Sequence, residues 1–152
     1  TGNKKAAVGT LLLDAGKGYV VVLVLETFFE PHITFFGGMC VFMGHLFPIF
    51  HGLKGGKGVA TFLGILFALN VYAAVLVCLI WLCVAIIFKI SSLSALVSSF
   101  AAPFIGFIIE LEHLALITAL VIIVWLRHIP NIKRLIRQEE PKISLRRVTK
   151  LN

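Results

Sequence analysis

The sequence predicts an all-α, polytopic transmembrane helical bundle with about six membrane segments in this chain. Three observations predict it. Hydrophobic residues make up 59% of the 152 residues and charged residues only 14%, where a soluble domain carries about 25% charged residues. The apolar residues fall in long runs, giving a mean hydropathy of +1.02. The polar breaks between those runs alternate in the sign of their charge. Disorder, a fibrous protein and an ordinary soluble enzyme are excluded.

The runs are Ala6–Leu25, Ile33–Phe50, Val59–Leu69, Val71–Phe88, Ser92–Ile109 and Leu114–Leu126. A spanning helix needs roughly 20 apolar residues, so several runs are short and predict a thin, tightly packed bundle. The third is too short to span alone. It reads as re-entrant, or as a short crossing continued by the glycine loop before it. Gly37, Gly38 and Gly44 in the second run, and Ser94, Ser98, Ser99, Ala101 and Ala102 in the fifth, predict close helix contacts.

Six crossings put Lys4, Lys5, Lys54, Lys57, Lys89 and every base from Arg127 onward on one side. Lys17 alone falls within a run. The opposite breaks, Glu26–His32 and Glu110–His113, contain no Lys or Arg. The positive-inside rule makes the basic side cytoplasmic. This split supports the third run as a true crossing, since otherwise Lys54 and Lys89 would lie on opposite sides. The net charge of +7 therefore reads as membrane topology and lipid attraction, not nucleic-acid binding. One domain, 1–152, is expected, with 138–152 a basic cytoplasmic tail. A signal peptide is not expected, since no n-region stands before the first run in this sequence. The chain begins at Thr1, which predicts a processed or truncated N-terminus. Cys40, Cys78 and Cys83 sit in apolar runs without CxxC spacing and read as small apolar fillers.

Two segments carry chemistry. The first is GHLFPIFHGLKGGKGVATFLG, from Gly44 to Gly64. Its glycines at Gly55, Gly56 and Gly58 let backbone N–H groups converge on an anion. A helix begins near Val59 and adds its N-terminal donors. Lys54 and Lys57 add full charges. It reads as a phosphate cradle on the basic face. It is not a Walker A loop, because only three residues separate Gly52 from the Gly-Lys pair and Gly58 follows.

The second segment runs from Arg127 to Lys142. His128 and Asn131 are three apart and share a helix face, with Pro130 opening that helix. Histidine moves protons near neutral pH, and asparagine orients a hydroxyl or holds an oxyanion; the bland reading is an interfacial histidine and a capping asparagine. Asp14 and Lys17, i and i+3, are placed to pair. Ser91 and Ser92 stand where a helix start uses a cap, or where a substrate could be met. His45 and His51 are six apart without a cysteine or carboxylate partner, so no metal site is expected. His32 and His113 read as interfacial polar residues. Together these features suggest a lipid-pathway enzyme acting on a phosphorylated substrate.

The residues then resemble a known family: the bacterial integral-membrane glycerol-3-phosphate acyltransferases that use acyl phosphate. His45–Gly64 is similar to that family's motif GHxFPxFxGFKGGKGVATxxG, departing at Leu53. The later segment resembles HRxNIxRLxxGxExK through His128, Asn131, Ile132, Arg134, Leu135, Glu140 and Lys142, with Ile129 and Gln138 departing. Asp14, Lys17 and Gly18 resemble a D-x-x-K-G pattern, and Ser92 aligns with a family serine. A further motif near GSxNxGATNxxR, and the helix before it, have no counterpart; Thr1–Lys5 looks like the residues just after. An intact member would have seven segments.

The resemblance implies transfer of a fatty acyl group from acyl phosphate to the 1-hydroxyl of sn-glycerol 3-phosphate. The products are lysophosphatidic acid and phosphate, in the first step of phospholipid synthesis. It implies no cofactor and no metal. Its partners are glycerol 3-phosphate, acyl phosphate and membrane lipids, in a bacterial inner membrane with the site facing the cytoplasm. It implies phosphate contacts from Lys54, Gly55, Gly56, Lys57, Gly58 and Ser92. His128 and Asn131 orient the hydroxyl, while His45, Asp14, Lys17, Arg134 and Glu140 support. The absence of H-x-x-x-x-D agrees with a donor other than a thioester. The alternatives are a transporter for a small phosphorylated anion, or an inactive fragment.

Overall fold

The computed structural model describes residues 4–48 and 55–143. Among them the regular structure is all helical, in seven elements: α1 Lys4–Phe28, α2 Pro31–Leu46, α3 Val59–Leu69, α4 Val71–Phe88, α5 Ser91–Ile108, α6 Leu114–Arg127 and α7 Ile129–Ile136. The six predicted runs are α1 to α6. The helix expected around Asn131 is α7. Lys54 and residues 144–152 of the tail lie outside the described residues.

Local chemistry sets the breaks. Pro31 opens α2 in its first turn, where the missing N–H costs nothing. α2 stops at Leu46, earlier than the run to Phe50 suggested, because Pro48 disfavours helix at the residue before it. Asn70 ends α3 and starts α4: its N–H donates to the Leu66 carbonyl, and its side chain accepts from the Ala73 N–H at 3.0 Å. α5 begins after Ile90, with no side-chain cap bond. The capping role read for Ser91 and Ser92 does not hold, since Ser92 is turned to another partner.

Among the described residues only α1, α4 and α5 are long and apolar enough to cross a membrane alone, and α6 and α7 meet at 58° as a bent pair. At 1.5 Å per residue α3 is about 16 Å long, roughly half the hydrocarbon thickness. It is a short segment continued by the glycine loop. α3 packs most closely on α1 and α4 on α5. Gly64 lies on the Ala15 carbonyl, and a Cβ on Gly18 would stand 2.7 Å from the Thr61 carbonyl oxygen. Gly38 of α2 likewise lies against Leu116 of α6. The small-residue face of α5 is buried through Ser94, Ala95, Ser98, Ser99 and Ala102. Gly44 is different from its neighbours, with open space where a Cβ would be.

The ends sort as the charge pattern requires. Glu26 and His113 meet at one end, 2.8 Å apart. At the other, Ile143 N–H donates to the Lys89 carbonyl at 2.6 Å, and Arg127 reaches the glycine loop. Large side chains such as Leu12, Leu13, Tyr72 and Ile87 are exposed around the bundle, as a lipid-facing surface demands.

Candidate active site

A cavity of about 550 Å³ opens at the basic end, between α1, α3, α4, α5 and the segment from His128 to Pro141. Its polar end holds Lys57, Ser91, Ser92, His128, Asn131 and Glu140. Its wall is apolar, through Leu11, Val59, Ala60, Leu63, Trp81 and Ala95. One space thus offers charge at one end and hydrocarbon contact along its length.

The glycine loop reaches this cavity by folding onto the C-terminal end of α2. Gly55 packs on the backbone of His45 and Leu46, and its N–H donates to the Leu46 carbonyl at 3.2 Å. That donor is therefore committed to the fold, a correction to the reading of Gly55 as a phosphate contact. A Cβ on Gly56 would stand 2.6 Å from His45 Nε2. Gly58 has φ of +87° and caps α3, a conformation glycine adopts without Cβ strain. Lys57 is the residue of Gly55–Gly58 with a side chain, and it lines the cavity. Beside it lies the first turn of α3, whose N–H groups have no partner within the helix.

Arg127 fixes the loop from the other side. Its guanidinium donates to the Gly55 and Gly56 carbonyls at 3.2 and 3.1 Å and lies over the Phe47 ring. Sequence reading counted Arg127 only as a membrane-side base. Its place directly before His128 was the available signal.

His128 occupies the 58° bend between α6 and α7 and is 2% exposed. Its Nδ1 lies 2.8 Å from the Val124 carbonyl, which places the proton of a neutral ring on Nδ1 and leaves Nε2 as the basic nitrogen. Burial lowers its pKa, and the Lys57 charge lowers it too; the Val124 hydrogen bond and Glu140 oppose this. Lys57 is also lowered, first by burial. Asn131 lies inside α7 and is buried. Its Nδ2 donates to Glu140 at 2.6 Å, while its buried Oδ1 has no hydrogen-bond partner.

Glu140 is the hub. It also accepts from Ser92 Oγ at 2.6 Å and from Arg134 Nε at 2.7 Å. Burial would raise its pKa, but the bonds from Ser92, Arg134 and Asn131 and the Arg134 charge hold it at about 2. The single Ser92 hydroxyl hydrogen is thus used internally, so Ser92 is not free to donate to a phosphate in this arrangement. Arg134 and Glu140 brace α7 against α5.

The Asp14 pair forms as expected: Lys17 Nζ donates to Asp14 Oδ1 at 2.6 Å. Lys17 also lies 2.7 Å from His45 Nδ1, and that nitrogen lies 3.2 Å from Asp14 Oδ1. An ammonium donating to Nδ1 requires the ring proton on Nε2, the atom that faces Gly56. The expected support set is therefore two sets: Asp14–Lys17–His45 under the loop, and Arg134–Glu140 under α7.

The family model described as "Glycerol-3-phosphate acyltransferase" matches residues 1–138. A protein of Jannaschia sp. (strain CCS1) named glycerol-3-phosphate acyltransferase is 44% identical over 145 residues, covering 95% of this chain and 71% of its own. One of the same name from Bradyrhizobium diazoefficiens is 45% identical over 145 residues, covering 95% and 73%. The fold is similar to the crystal structure of PlsY, described as an integral membrane glycerol 3-phosphate acyltransferase in its glycerol 3-phosphate form. The TM-score is 0.88 and the identity 30%, over 93% of this chain and 72% of that one.

Proposed function

The chain belongs to the glycerol-3-phosphate acyltransferase family, and from that premise we propose how its residues acylate glycerol 3-phosphate, and with which donor. The observation that carries the reading is the two-natured cavity, with Lys57, His128 and Asn131 at one end and an apolar wall along the rest. Glycerol 3-phosphate is all polar and fatty acyl phosphate is half hydrocarbon. A single space accepts both only if it is built this way.

Lys57, with Lys54 and the first turn of α3, holds phosphate. The helix N-terminus and the ammonium both favour the anion. His128 Nε2 accepts the hydrogen of the 1-hydroxyl, and Asn131 Oδ1 orients that hydroxyl. The oxygen attacks the acyl carbonyl carbon, and the bond from that carbon to the phosphate oxygen breaks. Inorganic phosphate leaves with the electron pair, and lysophosphatidic acid remains. The mixed anhydride is already activated, so positioning and charge stabilisation supply much of the rate. A modest base suffices, which suits a histidine whose pKa is lowered.

The chain is an integral membrane protein. The basic end, and with it the site, faces the cytoplasm of a bacterial inner membrane by the positive-inside rule. Residues 1–152 act as one domain, and the basic cytoplasmic tail, 138–152, begins at the site through Glu140.

The test is acyl transfer in lipid, with labelled glycerol 3-phosphate and either palmitoyl phosphate or palmitoyl-CoA. Labelled lysophosphatidic acid from the acyl phosphate alone supports the donor assignment. Product from the thioester alone overturns it. Label crossing a sealed vesicle unchanged, without product, would favour transport.

A further inference from the structure

At the end of the bundle opposite the active site, Glu26 of α1 and Glu112 and His113 of the α5–α6 turn converge. Their ligand-type atoms lie within 4.8 Å of one another. We propose that these three residues form a zinc-class divalent cation site that ties α1 to the α5–α6 turn.

Four observations support it. The first is burial without a partner. His113 is 6% exposed, a correction to its reading as an interfacial polar residue. Its Nε2 has no hydrogen-bond partner, although Glu26 Oε2 lies 2.8 Å away. At that distance only direction can fail, so the oxygen lies off the axis on which the ring would donate. A nitrogen and a carboxylate oxygen set side by side, not donor to acceptor, are arranged as two ligands of a third atom. A buried polar nitrogen left in this way is costly without one.

The second is charge. The breaks Glu26–His32 and Glu110–His113 contain no Lys or Arg. The two carboxylates therefore have no fixed cation from their own segments, and a divalent ion balances them. The third is space. A cavity of about 280 Å³ adjoins the cluster, lined by His32, Phe35, Glu112 and His113 among others. It gives water access to an open coordination position, and His32 stands beside it. The fourth is donor type. One imidazole nitrogen and two carboxylate oxygens suit zinc with a water in the fourth position. Ligand atoms about 2.1 Å from a tetrahedral ion lie roughly 3.4 Å from one another. The His113–Glu26 pair at 2.8 Å would open by a few tenths of an ångström, and the other separations, all within 4.8 Å, would adjust to that spacing.

The probe is zinc chloride alone. The chain in lipid nanodiscs, free of affinity tags and stripped with EDTA, is titrated by calorimetry and melted with and without zinc. The expected result is one bound ion per chain, at least tenfold weaker in Glu112→Gln and in Glu26→Gln, and absent from the double variant. Glu26 and Glu112 are exposed, so both variants should fold, which an unchanged melting temperature without zinc checks. Zinc should raise the melting temperature of the wild type and not of Glu112→Gln. Absence of binding to the wild type overturns the proposal and leaves a simple His113–Glu26 ion pair. Wild-type affinity retained in either variant, or the same melting shift in Glu112→Gln as in the wild type, overturns it as well.

Discussion

Gly56 lies so close to the imidazole of His45 that a Cβ there would stand 2.6 Å from Nε2. The ring is held from its other nitrogen by Lys17, so it has little freedom to retreat. Gly56→Ala should therefore displace the loop that carries Lys57. The expected outcome is at least a tenfold rise in KM for glycerol 3-phosphate, with insertion and melting temperature little changed. Steady-state kinetics in lipid check it, and an unaltered KM would remove the loop from phosphate binding.

Removing the charged side chains themselves should act on different terms. Lys57→Ala and His128→Ala should each lose at least tenfold in activity while inserting normally. Wild-type turnover in either would sink the corresponding assignment.

His128 also gives a pH signature. A base acts when unprotonated, so kcat/KM should fall on the acid side as pH drops through the His128 pKa, which lies below the usual 6.5. The Lys57 charge contributes to that lowering, after burial. Lys57→Met should move the acid limb upward, toward 6.5, besides reducing the rate. A limb that stays in place in Lys57→Met would show that the titrating group is elsewhere.

Glu140 predicts a stability change with its own window. Its folded pKa of about 2 lies below its ordinary 4.5. Its ionised form thus adds stability that is fully present above about 4.5 and is lost as pH falls through about 2. Glu140→Gln should lower the melting temperature in detergent at pH 7, by an effect on the order of 1–3 kcal/mol for charge-assisted bonds. The gap from wild type should shrink toward pH 3. A constant gap across that range would mean that the carboxylate charge is not what holds α7.

The glycines separate close packing from mere presence. A Cβ on Gly64 would fall on the Ala15 carbonyl, whereas nothing lies within 4 Å of one on Gly9. Gly64→Ala should destabilise by about 1–3 kcal/mol through overpacking. Gly9→Ala should be neutral or slightly stabilising through helix propensity. Melting of both variants in the same detergent decides, and similar values would count against the α1–α3 contact.

The six runs were readable because membrane burial writes itself into composition: Val59–Leu69 and Val71–Phe88 appear as helices with those same ends. The two ends of the bundle were readable from Lys57, Lys89 and Arg127 against Glu26 and Glu112, since topology is set by charge. Asp14 with Lys17 followed from helical spacing. What distance in the chain hides is contact. Ser92 and Glu140 are 48 positions apart, and Arg127 and Gly55 are 72 apart. Neither residue type states whether it will face a substrate or a neighbour. Gly55 shows the same limit, because a glycine needed for close backbone packing and one needed to cradle an anion are the same letter.

Arg127 and His128 are consecutive, yet one grips the glycine loop and the other sits at the bend beside the cavity. The loop that carries Lys57 and the His128 ring are thereby fastened to one short piece of chain at the end of α6. When the surrounding lipid thickens, thins or tilts the helices, both travel together. The bilayer can move this site as a whole more readily than it can pull its two halves apart.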